Sequence, residues 1–141
     1  MSLYSQITRS AEAGLDDLYL EVPITNTSGA LGTPVRRQGF GAAYPANAAS
    51  LAAITRTSPG LYVLNLDQRW QSLVDFTVLF ADGTVAATDG FDVRSITRAL
   101  NQAQPTVTFQ LVQASGAAAD PFAGSGSGSM IVHLTLKSST V

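Results

Sequence analysis

The sequence predicts an all-β fold, a jelly-roll-like antiparallel β-sandwich carrying an extended, irregular N-terminal arm. Three observations predict it. From residue 50 onward, apolar and polar residues alternate with period two through a series of short segments. Turn signals built from Pro, Gly and Asp-Gly separate these segments every ~8–12 residues, the spacing of sandwiches and jelly rolls. No apolar run approaches the ~18 residues of a membrane span, and no 20–50-residue period recurs, so spanning helices and repeat arrays drop out.

Residues 1–50 are rich in Gly, Ala, Asn and Pro and hold one clear strand signal, Leu18 to Val22, closed by Pro23 and the Asn26-Thr27-Ser28-Gly29 cluster. Asp16-Asp17 before it reads as solvent-facing or as a turn, and Gly14 weakens a possible short helix from Ser10 to Leu15. Between Gly29 and Ala49 there is no period, and so long an irregular stretch points to function or to a bound partner. Residues 1–50 are therefore read as an extended arm with one strand and residues 51–141 as the sandwich core, within one domain.

The core elements follow in order. Ile54 to Thr57 and Leu61 to Leu66 read as a hairpin about Ser58-Pro59-Gly60, with Pro59 presetting φ and Gly60 supplying a positive one. Asp67 reads as the N-cap of a short helical turn, Gln68 to Leu73, with Trp70 and Leu73 on one side. In Val74 to Ala81, Phe76, Val78 and Phe80 alternate with Asp75, Thr77 and Leu79. Asp82-Gly83 predicts a hairpin turn into Thr84 to Thr88, and Asp89-Gly90 a second. Phe91 to Arg98 is the next strand, and one begun by Pro105 puts Val107, Phe109 and Leu111 on one face. In the last strand Val132, Leu134 and Leu136 point inward and Ile131, His133, Thr135 and Lys137 outward. Between the last two strands, Ala114 to Ser129 ends in a Gly/Ser repeat and reads as a flexible hairpin loop, or as a tip that orders on a partner. Trp70, Phe76, Phe80, Phe91 and Phe109 are expected in the core.

Composition narrows the chemistry. The 141 residues contain no cysteine and one histidine, which removes disulfides, thiolate sites and His-cluster metal sites. A net charge of -2 gives no long-range attraction for a polyanion. Only 13% of residues are charged, against about 25% in an ordinary domain. Small uncharged side chains are cheap to desolvate, so one reading is a protein packed against other protein. The same Ala/Gly/Thr-rich usage, with seven Arg and one Lys, is what a GC-rich genome gives, and the two readings are compatible.

Catalytic parts are scarce. His133 has no nucleophile or orienting carboxylate nominated by sequence. Asp82, Asp89 and Asp120 stand at turns, where aspartate hydrogen-bonds its own backbone. A carboxylate pair of the kind glycoside hydrolysis needs is exemplified by Asp75 with Asp92, on strands read as neighbours. Asp89-Gly90-Phe91-Asp92 is a fragment of a calcium loop without its closing Glu, and neither Gly39-Phe40-Gly41 nor Gly124 to Gly128 completes a nucleotide-binding motif. The sequence therefore predicts no enzyme, no cofactor and no metal. Arg36-Arg37, near Phe40 and Tyr44, is the one basic pair; it fits a solvated loop, a protein interface or, less well, nucleic acid.

The stretch Ile54-Thr55-Arg56-Thr57-Ser58-Pro59-Gly60-Leu61-Tyr62-Val63-Leu64-Asn65-Leu66 is similar to the Thr-Arg-x-x-x-Gly-x-Tyr-x-x-x-Leu hairpin of small structural proteins of tailed bacteriophages. So is the ending, with Ala119-Asp120-Pro121 in a Gly/Ser-rich loop and a final strand closing on Leu136-Lys137-Ser138-Ser139. Over residues 54–140 the chain resembles head decoration (cement) proteins, which form jelly-roll-like sandwiches and sit as oligomers on the capsid. The resemblance implies a virion location after synthesis in the host cytoplasm. It implies the major capsid protein and further copies of the chain (dimer or trimer) as partners, with no nucleic acid and no membrane. Arg36, Arg37, Phe40 and Tyr44 become the capsid-contact candidates. Other virion components (tail, fibre or head-tail joining protein) and a carbohydrate-binding module, which needs exposed aromatics such as Tyr44, Tyr62 and Trp70, are the alternatives.

Overall fold

The computed structural model describes residues 15–25, 30–38, 53–66, 69–81, 91–122 and 128–137, and all the regular structure among them is strand. In chain order these are β1 Leu15–Thr25, β2 Ala30–Leu31, β3 Val35–Gln38, β4 Ile54–Ser58, β5 Leu61–Asn65, β6 Ser72–Ala81, β7 Phe91–Ala99, β8 Thr106–Gln113 and β9 Gly128–Lys137. They form two antiparallel sheets. The first runs β2-β1-β9-β6, with β3 also on β1, and the second runs β4-β5-β8-β7.

The winding is that of a jelly roll. β1 lies in the first sheet, β5 in the second, β6 in the first, β7 and β8 in the second, and β9 returns beside β1. A full jelly roll has eight strands in two Greek keys; this order matches one shortened by a strand pair.

Alternation decides which residues fill the space between the sheets. Leu18, Leu20, Val22 and Ile24 of β1 face Met130, Val132, Leu134 and Leu136 of β9 on one side. Tyr62 and Leu64 of β5 with Val107, Phe109 and Leu111 of β8 supply the other. The aromatic rings interlock across the sandwich: Phe76 lies 5.0 Å from Phe109, and Phe80 meets Phe91 at 5.8 Å and Phe122 at 5.9 Å. Trp70 and Phe109 are buried, while Phe76, Phe80 and Phe91 pack half-buried against the core, as the pattern predicts.

Four readings change. The composition boundary near residue 50 does not bound the sandwich, because β1 is an interior strand whose apolar face joins the core. The stretch after Gly29 contributes β2 and β3, which pair with β1; short pairing segments leave no alternation to read. The helical turn expected up to Leu73 is absent over residues 69–73: Arg69 and Trp70 are irregular and Ser72 and Leu73 open β6. The backbone N–H of Trp70 donates to the Leu100 carbonyl (3.1 Å), which anchors the residue in place of a helix. Finally, β8 and β9 belong to different sheets, so the chain crosses between sheets after Gln113 and does not form the expected hairpin. The predicted turns at Asp82-Gly83 and Asp89-Gly90, the strand Thr84 to Thr88, Asp67, Gln68 and residues 10–14 of the possible Ser10 to Leu15 helix lie outside the described residues, and Leu15 itself opens β1.

Candidate functional site

Among the described residues three places concentrate polar chemistry: a buried cluster at one end of the sandwich and the outward face of each sheet.

The buried cluster begins with strand parity. Ile54 pairs with Leu64 and Arg56 with Tyr62, so Arg56 shares the inward side of the β4–β5 hairpin with Tyr62. A guanidinium turned inward needs an anion. Asp120, only 5% exposed, supplies it from the β8–β9 crossover. Arg56 Nε donates to both carboxylate oxygens at 2.9 and 3.0 Å, and Nη2 donates to Oδ2 at 2.6 Å. Oδ1 also accepts from the Gly60 N–H at 3.0 Å and from the Tyr62 hydroxyl at 2.8 Å. One carboxylate thus holds the β4 strand, the β4–β5 turn and the β5 strand.

The crossover is shaped to deliver Asp120. Gly116 N–H donates to Gln113 O (2.8 Å), Gln113 N–H to Ala117 O (2.9 Å), and Ala118 bridges Val112. The chain thereby runs back along the end of β8, and Leu111 N–H donates to Gly60 O at 2.7 Å. Gly60 has φ 74°, and a Cβ there would stand 2.5 Å from Leu111 O and 2.8 Å from Ala119 N. The position demands glycine twice over, by dihedral and by space. Pro121 and Phe122 beyond Asp120 are buried as well.

Burial alone pushes the Asp120 carboxyl upward, but the hydrogen bonds from Arg56, Gly60 and Tyr62 and the Arg56 charge outweigh it and hold the pKa below the ordinary value. Its hydrogen bond to Asp120, working against burial, raises Arg56. Burial, then the Asp120 hydrogen bond, raises Tyr62. All three groups stay in one protonation state near neutrality, which suits a lock and not an acid–base catalyst.

This cluster corrects the expectation that Asp120 caps its own turn, and that 114–129 is flexible throughout: residues 114–122 are ordered, and 123–127 lie outside the described residues. Two features of the sequence bear on it, though neither alone names the partner. Arg56 has inward parity, and Asp120 is the one charged residue between Ala114 and Ser129.

On the outward face of the first sheet, register aligns Tyr19, His133 and Thr77 in one row, with Asp17, Thr135 and Asp75 beside it and Glu21, Ile131 and Leu79 on the other flank. His133 stacks on Tyr19, centroids 4.2 Å apart at 12°. Its Nδ1 lies 3.4 Å from Thr77 Oγ1 and its Nε2 3.5 Å from Asp17 Oδ1. The order hydroxyl–imidazole–carboxylate resembles a nucleophilic triad, yet both separations exceed the ~2.6–3.2 Å of a working one. Asp17 Oδ1 is bonded instead to Thr135 Oγ1 at 2.6 Å. Leu79 is 62% exposed on this face. His133 faces outward as predicted.

The outward face of the second sheet differs. Ser58, Leu61 and Gln110 form one row, Thr55, Val63, Thr108 and Thr97 the next, and Asn65, Thr106 and Ala99 a third. No charged residue stands in these rows; Asp92 and Arg94 lie at the corner, where Arg94 Nη1 donates to Gly116 O at 3.2 Å.

Other candidates separate. Asp75 lies in the first sheet and Asp92 in the second, so the carboxylate pair does not exist as neighbours; each instead accepts the N–H of its following residue at 2.9 Å. Tyr62 and Trp70 are buried and cannot be exposed sugar-stacking aromatics. Arg36 and Arg37 lie in β3, paired with β1, while Phe40 and Tyr44 fall outside the described residues. Among the described residues no three His, Asp or Glu side chains group to hold a metal, and no helix is long and apolar enough to cross a membrane. A shallow groove of about 570 Å³ between Phe91, Val93, Arg94 and Gln113 carries no convergent set of catalytic groups.

No protein-family model matches the chain, and no curated protein or solved structure is significantly similar to it.

Proposed function

We propose that this chain is a structural virion protein that decorates a tailed-phage capsid and stabilises it by bridging major capsid subunits. The observation that carries the reading is the lock. The residues on which the resemblance rests, Arg56, Gly60 and Tyr62 of the hairpin and Asp120 of the Ala-Asp-Pro loop, come from two distant segments and meet in one hydrogen-bonded unit. The two short patterns are therefore one structural feature. A cement protein needs a rigid body with broad protein-facing surfaces, and a lock that ties a crossover to a turn serves that need. Binding only to the assembled shell stabilises it by mass action. A standard interface buries ~1,600 Å² in total. The carbohydrate-module alternative loses two of its three aromatics to the core.

Quantitative mass spectrometry of the source virion tests this. A decoration protein is present in hundreds of copies, in fixed ratio to the major capsid protein. Tens of copies or fewer would assign the chain to the tail or the head-tail joint and reject the proposal.

A further inference from the structure

We propose that the outer edge of β6 takes up an extended segment of a partner chain as an added β-strand, one that alternates apolar with polar residues and sets a Lys or Arg opposite Asp75. A strand at the end of a sheet presents a row of backbone N–H and C=O groups to any extended chain that comes alongside. Proteins ordinarily blunt such edges with short strands, bulges, Pro or charges turned inward.

Among the described residues the first sheet ends on β2 and β3 at one side and on β6 at the other, and the second ends on β4 and β7. β2 and β3 are two and four residues long. β4 has five residues, an inward Arg56 and a register shift between Arg56 and Ser58. β7 shifts register at Arg94, and its Arg98, paired with the buried Val107, stands on the inward side. β6 differs. Its one register shift lies at its start, between Leu73 and Asp75, and from Asp75 to Ala81 it pairs with β9 without interruption. That run, Asp-Phe-Thr-Val-Leu-Phe-Ala, holds a single charge and no Lys, Arg, Pro or Gly. At ~3.4 Å per residue it offers roughly 24 Å of unblunted edge.

Side chains define the segment that fits. Phe76, Val78 and Phe80 share the inward side of β6 yet stay half-buried, whereas Leu20 and Val22 of β1 and Val132 and Leu134 of β9 are 0% exposed. Phe80 meets Phe91 of β7 at 5.8 Å, so the edges of β6 and β7 lie on the same side of the sandwich. There Ile96 of β7, paired with the buried Phe109, is 39% exposed. This side is open and apolar, and a strand added to β6 closes it by laying every second side chain over Phe76, Val78 and Phe80. The intervening side chains fall on the outer face, beside Asp75, Thr77 and Leu79. Leu79, 62% exposed, gains cover there. Asp75 is exposed and accepts from the Phe76 N–H (2.9 Å) and from no other described residue, so its charge selects a cation as the cross-strand neighbour.

The test uses the full chain with synthetic peptides, so it stands or falls separately from the capsid reading. The probe is a capped peptide of ~9 residues, a strand's length, that alternates valine with threonine. Lysine replaces threonine near its C-terminal end, the end that lies opposite Asp75 in an antiparallel pair. Hydrogen exchange read by NMR is expected to show the outer-edge amides of Asp75 to Ala81 exchanging freely in the chain alone and at least fivefold more slowly with saturating peptide, while those of β7 are unchanged. Val78→Lys, which sets a charge at the edge, is expected to weaken binding at least tenfold. Asp75→Lys, at an exposed site, is expected to reverse the preference, so that a peptide with glutamate in place of lysine binds more tightly; this separates lost contact from lost fold. Thr97→Lys on β7 is expected to change nothing. Edge amides already protected in the free chain overturn the proposal, because the chain's own residues then cover the edge. So does a dimer joined through β6 that excludes the peptide, protection spread equally over β7, or a folded Val78→Lys variant that binds as the parent does.

Discussion

Replacing Asp120 by alanine isolates what the lock contributes. The substitution leaves the Gly60 N–H and the Tyr62 hydroxyl buried without an acceptor and removes the partner of Arg56. Each orphaned buried donor costs about 1–3 kcal/mol. The Arg56 side chain is 27% exposed, so it can turn to water, and its share of the pair is discounted accordingly. Together this gives a loss of about 3–4 kcal/mol, a large part of the ~5–15 kcal/mol that holds a domain folded. With an unfolding entropy of ~2.1 cal/mol/K per residue, the midpoint should fall by roughly 10–14 °C. Asp120→Asn retains a carbonyl acceptor for Gly60 and Tyr62 but puts an NH2 donor where Oδ2 accepts from Arg56, whose part-exposed side chain can turn to water, so it should cost about 1–2 kcal/mol. Urea unfolding followed by the fluorescence of Trp70, the sole tryptophan, reads both. An alanine variant within about 0.5 kcal/mol of the parent, or an asparagine variant as damaged as alanine, would refute the reasoning.

The pH dependence follows from the same group. Because the folded pKa of Asp120 lies below the unfolded ~3.9, the unfolded chain binds more protons between the two values, and stability there rises with pH. Unfolding free energy should hold its lock contribution above pH ~4 and lose it as pH falls through the folded value; Asp120→Asn should flatten that slope. Gly60→Ala meets both a positive φ and a Cβ placed 2.5 Å from the Leu111 carbonyl, and a loss of about 2–4 kcal/mol in the same urea assay is expected. Tyr62→Phe removes one hydrogen bond to Asp120 and should cost about 1–2 kcal/mol, less than Asp120→Ala. Leu79→Ser, at an exposed site, should change stability by no more than ~0.5 kcal/mol, measured the same way.

What the sequence disclosed and what it hid divide along physical lines. Alternation assigned Val107, Phe109 and Leu111 of β8 and Val132, Leu134 and Leu136 of β9 to the buried face, because side chains of a half-buried strand must alternate. Pro59-Gly60 marked its turn through dihedral chemistry alone. Partnership was not legible: period two states which face is buried and not which strand lies alongside, so β8 and β9 read as a hairpin although they sit in different sheets. β2 and β3 were hidden because two- and four-residue strands carry too little pattern. The lock was hidden for another reason. Asp120 and Arg56 stand 64 residues apart, and a glycine- and alanine-rich flank made Asp120 look like a loop residue. Its meaning lay in the pairing of one inward-facing cation with one isolated anion, which only the closed sandwich brings together.

The central claim, that this rigid sandwich stabilises a shell by binding across its subunits, is tested most directly by adding the purified chain to capsids stripped of it and measuring the temperature at which they rupture. The account predicts saturable binding in fixed ratio to the major capsid protein and a higher rupture temperature, with both effects weakened in Asp120→Ala. Capsids that neither take up the chain nor gain resistance would contradict it.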